Sequence, residues 1–432
     1  MSFVELSHPK SEQTAAASEL SGVVDYEGVF ATQLNELKAA GHYRTFARLE
    51  RVPGAFPEAL LHEGERRVPV TVWCANDYLG MGQHPVVEAA MHDAATQFGA
   101  GAGGTRNIAG THDVHARLEQ ELCELHRKDS ALLFTSGYVA NEAALSTLAS
   151  RLPAAVVLSD EKNHASMIAG IRHSKAEKRI FRHNDVAHLD ELLSGINFKR
   201  PKIIACESVY SMDGTVAPLA EMVDVAKRHN ALIYVDEVHA VGLYGREGAG
   251  IAAAQGVDHE IDFIQGTLAK AFGVMGGYVA GSRRGIDFIR SFAPGFIFTT
   301  ALSPVLANAA LESIKHVRSN TDGLRNMHKR QVERLKQALR SRRVSFRDEA
   351  SHIVPVIIGN AFATREAARL LMERYRIYVQ PIFAPTVEPG TARLRLTPTP
   401  LHTDYMIEEL ADALVDVLGT IQSLRETSHE LA

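Results

Sequence analysis

The sequence predicts an α/β protein with a mostly parallel sheet covered by helices on both faces, followed by a smaller α+β lobe. From about His84 to Lys315, short apolar strand-like runs alternate with helix-like segments. Such alternation is typical of parallel strands joined through helices. After Pro304 the pattern changes to long helical segments with two further strands. A length of 432 residues agrees with two lobes, because a chain this long rarely folds around one core.

The strands of the predicted large domain can be read in order along the chain. Each candidate is a short apolar run, most are followed by turn residues, and helical repeats such as 114–125 and 219–229 lie between several of them. The predicted strands are 131–135, 155–159, 203–207, 232–236, 263–265 and 277–280.

The segments on either side of this region are expected to form the smaller lobe. Residues 24–41 have the pattern of a polar helix, and strands at 60–62 and 68–74 flank the charged turn 63–67. We predict three parts, namely an N-terminal segment 1–75 with a disordered start, a large domain 76–315 and a small domain 316–432. The C-terminal elements are a helical pattern at 306–342, strands at 353–358 and 377–380, and helices at 364–374 and 407–424.

Composition excludes several classes of protein. The formal charge of −5 comes without a basic stripe interleaved with aromatics, so nucleic-acid binding has little support. The three cysteines form no C-x-x-C pair, which favours a reducing compartment and buried thiols. The start of the chain lacks the basic and apolar regions of a signal peptide, and no apolar stretch approaches the roughly 20 residues that span a bilayer. We therefore expect a cytoplasmic protein without a membrane partner.

The first chemical motif is the strand end Y-V-D-E-V-H at 234–239. An apolar strand delivers Asp236 at its C-terminal end, where ligands bind in open α/β sheets, and His239 follows three residues later. A buried carboxylate can hold the protonated ring nitrogen of pyridoxal 5'-phosphate (PLP), and a nearby histidine can bind its phenolic oxygen. By itself the D-x-x-H motif is weak evidence for a PLP site, because a helix-capping Asp followed by a structural His gives the same sequence.

The second motif, Q-G-T-L-A-K-A-F-G at 265–273, contains Lys270 among small and apolar residues. Loss of solvation lowers the pKa of such a lysine and suits it to forming a Schiff base with an aldehyde cofactor. Thr267 stands three residues earlier and can reach a phosphate. Taken alone, this motif could be a surface lysine in a glycine-rich turn. That alternative becomes much weaker because the motif follows the Asp236 motif at a suitable distance along the chain.

Two further strand ends carry polar residues. Ser136, Gly137 and Tyr138 lead from a strand directly into a helix, and the free N–H groups there can bind the cofactor phosphate or be a plain N-cap. His164 follows the next strand and can stack on the cofactor ring, although a lone histidine is more often structural.

The glycine run at 99–107 and a nearby histidine pair carry little chemistry. The run does not follow the G-x-G-x-x-G pattern after a strand, so a dinucleotide site is poorly supported and a flexible loop fits better. His112 and His115 have metal-ligand spacing, but no third ligand is evident, so we expect no metal.

Taken together, the motifs resemble those of the α-oxoamine synthases, fold-type-I PLP-dependent transferases that join an amino acid to an acyl-CoA thioester. The resemblance runs from about Val24 to about Leu418, and G-G-T-R-N with S-M-D-G favours the branch that condenses glycine with succinyl-CoA to 5-aminolevulinate. It implies a large domain with a mostly parallel seven-stranded sheet, and a homodimer with active sites at the subunit interface. The matching stretches are Y-R-T-F-A-R-L-E-R at 43–51, N-D-Y-L-G-M-G-Q-H-P at 76–85, G-A-G-G-T-R-N at 101–107, N-H-A-S-M-I at 163–168, E-K-R-I-F-R-H-N-D at 177–185, E-S-V-Y-S-M-D-G at 207–214, D-E-V-H-A-V-G-L-Y-G at 236–245, F-G-V-M-G-G-Y at 272–278, S-H-I-V-P-V at 351–356 and L-R-L-T-P-T-P at 394–400.

The resemblance also implies a role for each matched residue. Lys270 would carry PLP and act as acid and base at the glycine α-carbon, with Asp236 on the ring nitrogen and His164 stacked on the ring. His239 and Ser211 would contact the phenolic oxygen. The implied phosphate ligands are Ser136, Gly137, Tyr138 and Thr267, with Thr299 and Thr300 reaching over from the other subunit.

The substrate residues follow from the same resemblance. Arg395 would clamp the glycine carboxylate as a two-pronged fork. The residues implied for succinyl-CoA are Arg44, Thr105, Asn107, Ser159, Lys178 and Thr386.

Some positions depart from the usual family pattern. Ala269 and Ala109 stand where the family usually has Gly and Ser, and 383–384 and 388–389 differ within the segment that resembles a mobile lid. These departures leave room for a sibling enzyme that uses another amino acid and acyl-CoA pair, such as 2-amino-3-ketobutyrate CoA ligase or 8-amino-7-oxononanoate synthase. The remaining alternative, a non-catalytic subunit of the same fold, is expected to lack the lysine.

Overall fold

The computed structural model describes residues 24–430, with side chains up to residue 423, so the predicted disordered start lies outside the described residues. A charged β-hairpin lies near the start of the described chain, after the first helix. Its turn places Gly64 at φ 63°, a left-handed conformation that glycine adopts without strain. The N-terminal elements are α1 (Tyr26–Ala39), β1 (Leu49–Arg51), β2 (Glu58–Glu63) and β3 (Arg66–Val72).

A seven-stranded sheet forms the centre of the large lobe. Its strand order is β4-β10-β9-β8-β7-β5-β6, and only β10 runs antiparallel to its neighbours. Nearly all residues of the inner strands are buried, as expected for a sheet covered on both faces. The predicted mostly parallel, seven-stranded sheet is therefore confirmed. Its strands are β4 (Ser130–Phe134), β5 (Val156–Asp160), β6 (Glu177–Phe181), β7 (Lys202–Glu207), β8 (Leu232–Asp236), β9 (Phe263–Thr267) and β10 (Gly277–Gly281).

Helices cover this sheet through apolar stripes at helical spacing. In α3, for example, Val114, Leu118, Leu122 and Leu125 recur at intervals of three to four residues and are fully buried in one hydrophobic cluster with β4 and β10 residues. The helices of this region are α2 (Pro85–Phe98), α3 (Asp113–His126), α4 (Gly137–Arg151), α5 (Ala165–Ser174), α6 (Val186–Ser194), α7 (Leu219–Arg228), α8 (Ile251–Ala254), α9 (Arg283–Phe292) and α10 (Pro294–Ile297).

The smaller lobe combines the C-terminal elements with the N-terminal hairpin. Strand β12 pairs in parallel with β3, which joins β1, β2 and β3 to the C-terminal lobe as the sequence predicts. A separate three-stranded sheet has the order β11-β14-β13. Helix α11 (Pro304–Ser319) packs with α2 and α3 in the large lobe. The C-terminal elements of the smaller lobe are α12 (Leu324–Ser341), β11 (Val354–Gly359), α13 (Ala361–Tyr375), β12 (Ile377–Tyr378), β13 (Pro381–Ile382), β14 (Ala392–Leu396) and α14 (Asp404–Glu430).

Among the differences from the predicted elements, three have a clear physical reason. The long helix predicted at 306–342 is two helices, because Asn320 and Gly323 both take left-handed φ angles of 49° and 72°. Strand β6 was not predicted, since it is an edge strand whose exposed charged residues hide its pattern. Strand β14 was not predicted either, since it buries Arg393 and Arg395 between apolar residues.

The domain limits at residues 76 and 316 stay a prediction.

None of the helices within 24–430 combines the length and the apolar composition that crossing a membrane requires.

Candidate active site

A cavity of about 210 Å³ lies at the carboxyl ends of the parallel strands β7, β8 and β9 and the start of α4 and α5. It brings together seven of the predicted cofactor residues from separate parts of the chain. Four other residues complete its wall and were given no role by the sequence, namely Asn141, Ser166, Glu207 and Val238. The predicted residues that line it are Gly137, Tyr138, His164, Asp236, His239, Thr267 and Lys270.

Lys270 lies in the tight connection between β9 and β10. Burial lowers the pKa of its amine to about 8, assisted by the charge of Arg395 and opposed by the carboxylates of Asp236 and Glu207. A substantial neutral fraction near pH 8 makes this amine a nucleophile for an aldehyde carbon.

Asp236 ends β8 and is buried beneath the cavity. Its Oδ1 accepts a hydrogen bond from the Val238 N–H at 2.8 Å, and its Oδ2 accepts one from Asn141 Nδ2 at 2.7 Å. Among the described residues, no cationic side chain forms an ion pair with this carboxylate within 4.0 Å. A buried carboxylate without an ion-pair partner, facing a cavity, fits the protonated ring nitrogen of PLP.

His239 is held by a hydrogen-bonded chain that reaches into the smaller lobe. Arg395 Nη2 donates to the Tyr78 hydroxyl at 2.8 Å, and that hydroxyl lies 2.7 Å from His239 Nδ1. The Tyr78 hydroxyl proton can be donated to Asn76 Oδ1 at 3.3 Å or to the nearer His239 Nδ1, and donation to Nδ1 leaves the proton of the neutral imidazole on Nε2. Burial, with the charges of Lys270 and Arg395, holds the pKa of His239 well below its usual range. A neutral Nε2–H donor suits a phenolic oxygen.

Tyr78 is the main site residue that sequence reasoning missed. It is completely buried, and its ring packs edge-on against His352 at a centroid distance of 4.3 Å. The signal was a tyrosine within the polar N-D-Y turn before α2, where a plain core aromatic is not expected.

The start of α4 offers an anion site. Ser136 caps the helix, and its Oγ accepts from the Val139 N–H at 3.2 Å. The first N–H groups of a helix, here Gly137 and Tyr138, have no partner inside the helix and favour an anion. A Cβ added to Gly137 would lie 3.3 Å from Thr267, so the glycine permits the close approach of these two elements. This arrangement fits a phosphate group.

His164 caps α5 beside the cavity. Its Nδ1 lies 2.7 Å from Ser166 Oγ, and its ring is edge-on to Tyr138 at a centroid distance of 6.5 Å. Burial and the charge of Lys270 lower the pKa of His164 to about 4, so its ring is neutral at pH 7.

Other predicted residues lie outside this cavity. Ser211 and Thr386 line a smaller cavity of about 80 Å³, and Arg44 Nη2 donates to Thr386 Oγ1 at 2.8 Å. Ser159 is buried, with its Oγ bonded to the Asp160 carbonyl at 3.2 Å and to Asn163 at 2.9 Å.

The remaining predicted residues are exposed or lie in loops. Thr105 Oγ1 donates to Asn107 Oδ1 at 2.6 Å, and Thr105 forms an isolated antiparallel bridge with Thr300, next to Thr299. Lys178 is exposed on edge strand β6 and lines neither cavity. The structure thus pairs Arg44 with Thr386 and Thr105 with Asn107, whereas Ser159 and Lys178 lie apart from both pairs. The roles of these residues stay a prediction.

The histidine pair considered for metal binding has structural partners. His115 Nδ1 accepts from the His112 backbone N–H at 3.1 Å, and its Nε2 lies 2.7 Å from the Leu302 carbonyl. One group within 24–430, formed by His84, His316 and Asp322, has ligand atoms within 4.8 Å of one another. Within it, His84 Nδ1 accepts from the Val86 N–H to cap α2, which places its proton on the nitrogen that faces Asp322.

Known proteins match this chain over most of its length. The profile of the aminotransferase class I and II family matches residues 68–414. The chain is 52% identical over 394 residues to a 5-aminolevulinate synthase of Bradyrhizobium diazoefficiens, covering 91% of this chain and 96% of that protein. It is 52% identical over 407 residues to 5-aminolevulinate synthase 2 of Cereibacter sphaeroides, covering 93% of this chain and 100% of that protein.

Solved structures of similar fold include a lysine-to-alanine variant of serine palmitoyltransferase from S. paucimobilis with a bound PLP–myriocin aldimine. That structure superposes with a TM-score of 0.84 at 30% identity, covering 92% of this chain and 98% of that chain. An 8-amino-7-oxononanoate synthase from Francisella tularensis has a TM-score of 0.67 at 23% identity, covering 84% of this chain and 99% of that chain, and shares the fold.

Proposed function

Because this chain belongs to the class I and II aminotransferase family and, within it, to the 5-aminolevulinate synthases, we propose that it condenses glycine with succinyl-CoA. The products are 5-aminolevulinate, CoA and carbon dioxide, and the reaction makes the chain an acyltransferase that supplies a tetrapyrrole precursor. The observation that carries this proposal is the cavity in which Lys270, Asp236, His239 and His164 converge.

The residues around the cavity fit PLP. When bound, this cofactor supplies an electron-withdrawing ring that accepts the electron pair left when a proton leaves the glycine α-carbon. Asp236 would hold the ring nitrogen, His164 would lie against the ring, and His239 with Ser211 would hold the phenolic oxygen. The phosphate would be held by Ser136, Gly137, Tyr138 and Thr267, with Thr299 and Thr300 from a second subunit.

Lys270 has two tasks in this proposal. Its lowered pKa supports bond formation with the cofactor aldehyde. Once glycine displaces it, the free amine takes a proton from the glycine α-carbon and later returns one at that position. Because its pKa is near 8, Lys270 can accept and release a proton near neutral pH.

Arg395 is the proposed partner of the glycine carboxylate. Its Nη1 donates to Asn76 Oδ1 at 3.1 Å and its Nη2 to Tyr78 at 2.8 Å, which holds the planar group in one orientation. Its buried Nε has no partner among the described residues. A fixed guanidinium suits a carboxylate better than a mobile one.

The proposed succinyl-CoA residues surround this centre. The Arg44–Thr386 hydrogen bond joins the N-terminal segment to the segment that resembles a lid. It holds the Arg44 guanidinium in one place, where its positive charge would bind the succinyl carboxylate. The other proposed contacts are Thr105, Asn107, Ser159 and Lys178. The condensation then releases CoA as the thioester is cleaved, and the β-keto acid loses carbon dioxide.

We propose a homodimer whose active sites lie at the subunit interface. In a single chain none of the 14 residues of α1 is buried, and Phe46 and Phe298 are 93% and 81% exposed. Exposed apolar surface of this kind is typical of an interface. We also propose a cytoplasmic location, supported by three unpaired cysteines.

Turnover of glycine with a panel of acyl-CoAs tests the function. We expect CoA release and a product with the mass of 5-aminolevulinate, fastest with succinyl-CoA, and loss of both in Lys270→Ala. Lys315→Ala, an exposed lysine on α11, is the matched control and should keep full activity. A preference for acetyl-CoA or a longer acyl chain would assign the chain to a sibling activity instead.

A further inference from the structure

Asn141, in the second turn of α4, connects two sides of the cavity through one buried amide. Its Nδ2 donates to Asp236 Oδ2 at 2.7 Å and to Ser166 Oγ at 3.0 Å. Its Oδ1 accepts from the Tyr234 hydroxyl at 2.9 Å. The side chain is 1% exposed. Because a carboxylate can only accept, the amide has one possible orientation, and Asn141 is fixed as a donor to Asp236.

A second carboxyl, Glu207, lies beside Asp236. Glu207 ends β7 and is the direct register partner of Asp236 on β8. It is 2% exposed, lines the same cavity, and its Oε1 has no hydrogen-bond partner among the described residues. Two buried carboxyls this close disfavour the ionisation of each other, so one of them must be kept charged by other groups.

We propose that Asn141 is a positioning residue that keeps Asp236 as a carboxylate against the neighbouring Glu207. This inference rests on the proposed function, in which Asp236 holds the cationic ring nitrogen of PLP. Without the amide donor, Glu207 would share its proton with Asp236, and Asp236 would lose the negative charge that binds the ring. The Asn141 donor thereby decides which of the two carboxyls serves the cofactor.

The titratable groups around the pair agree with this assignment. Burial raises the pKa of Asp236, and the Asn141 amide opposes this more than the Val238 N–H or the charge of Lys270. Burial and the charge of Asp236 raise the pKa of Glu207 well above its usual range. From the other packed elements, His164 and His239 are held neutral, and Asp160 on β5 adds a negative charge that acts on Glu207.

The test is a PLP titration of the apoprotein, followed by visible absorbance between pH 6 and 9. Asn141→Leu keeps the approximate size of the side chain but removes the donor to Asp236 and the acceptor for Tyr234, and Asn141→Ala removes the side chain beyond Cβ. We expect each to bind PLP about tenfold to a hundredfold more weakly at pH 7, because a hydrogen bond to a buried charge is lost. The deficit should grow as the pH falls, since Asp236 then takes up a proton at a higher pH than in the wild type.

A second-site variant separates charge from packing. Glu207→Gln in the Asn141→Ala background removes the competing carboxyl and should restore PLP affinity at least threefold. Asn308→Ala, which loses an amide donor to the Ala90 carbonyl at 3.0 Å, is the control and should bind PLP as the wild type does.

Two results would overturn the inference. The first is PLP affinity within threefold of wild type in both Asn141 variants. The second is a deficit of equal size at every pH that Glu207→Gln does not reduce, which would mean a packing defect only. Wild-type protein that binds PLP but makes no 5-aminolevulinate would refute the proposed function and leave this inference intact.

Discussion

Replacing Tyr78 by Phe removes one oxygen atom that joins three parts of the active site. The hydroxyl contacts His239 Nδ1 at 2.7 Å, Arg395 Nη2 at 2.8 Å and Asn76 Oδ1 at 3.3 Å. The ring would keep its edge-on packing against His352. The change is therefore small in volume, and its effect should come from the lost hydrogen bonds.

The size of the effect of Tyr78→Phe can be estimated from the hydrogen bonds that Arg395 and His239 keep. Arg395 keeps its Nη1 bond to Asn76, so its guanidinium loses one of two anchors. A buried polar atom left without a partner costs about 1–3 kcal/mol. If about half of this, about 0.5–1.5 kcal/mol, appears in glycine binding, the glycine KM rises roughly twofold to tenfold, since tenfold corresponds to about 1.4 kcal/mol. His239 loses the acceptor bond that orients it, so PLP affinity should fall by a similar factor.

Steady-state CoA release with glycine varied at saturating succinyl-CoA measures the first effect, and PLP titration measures the second. Tyr375→Phe is a matched control, because its hydroxyl donates to Asp416 at 2.9 Å at the protein surface. A glycine KM and a PLP affinity both within twofold of wild type in Tyr78→Phe would refute the reasoning.

Two predictions concern stability. Burial lowers the pKa of both His126 and His402 to about 3, whereas an unfolded histidine titrates near roughly 6.5. In the unfolded chain these two histidines therefore bind more protons between pH 6.5 and 3, and each should reduce stability by up to about 1.4 kcal/mol per pH unit as the pH falls. Buried carboxyls with a raised pKa, such as Glu237 at about 7, act in the opposite sense, so the test compares His126→Gln with the wild type. An equal change of urea midpoint between pH 7 and pH 5 in the two proteins would contradict this. Asp213→Asn removes a buried carboxylate that Arg393 and two other cationic side chains share, and it should cost about 3 kcal/mol of unfolding free energy. The exposed Asp190→Asn should cost less than about 1 kcal/mol in the same urea titration, and equal costs for the two variants would count against the importance of burial.

Much of the site could be read from the order of motifs along the chain. Asp236 and Lys270 each follow a short apolar run, and Ser136 stands between such a run and a helix. Because carboxyl ends of parallel strands meet at one edge of a sheet, residues that follow such strands converge without any knowledge of their contacts. The structure brings Asp236 and Lys270 to one cavity, together with Thr267, His239 and His164, and Ser136 caps the helix whose first residue, Gly137, lines it.

The partners of these residues could not be read in the same way. Arg395 and Asn76 are 319 positions apart, and they meet only because β14 of the smaller lobe lies against the turn before α2. The sequence indicates only that Glu207 is the last residue of a buried strand. The register between β7 and β8 shows that its carboxyl group lies beside that of Asp236.

The sequence by itself determined the α/β architecture, the lysine that fits PLP and the strand ends that surround it, because local periodicity and turn chemistry encode these features. Only the tertiary structure decided that Tyr78 links His239 to Arg395 and that Asn141 donates to Asp236. Hydrogen bonds between distant segments depend on how the lobes and helices pack. The order of residue types along the chain does not give the distances between side chains that this packing produces. The charge state of a buried group such as Asp236 depends on those same neighbours.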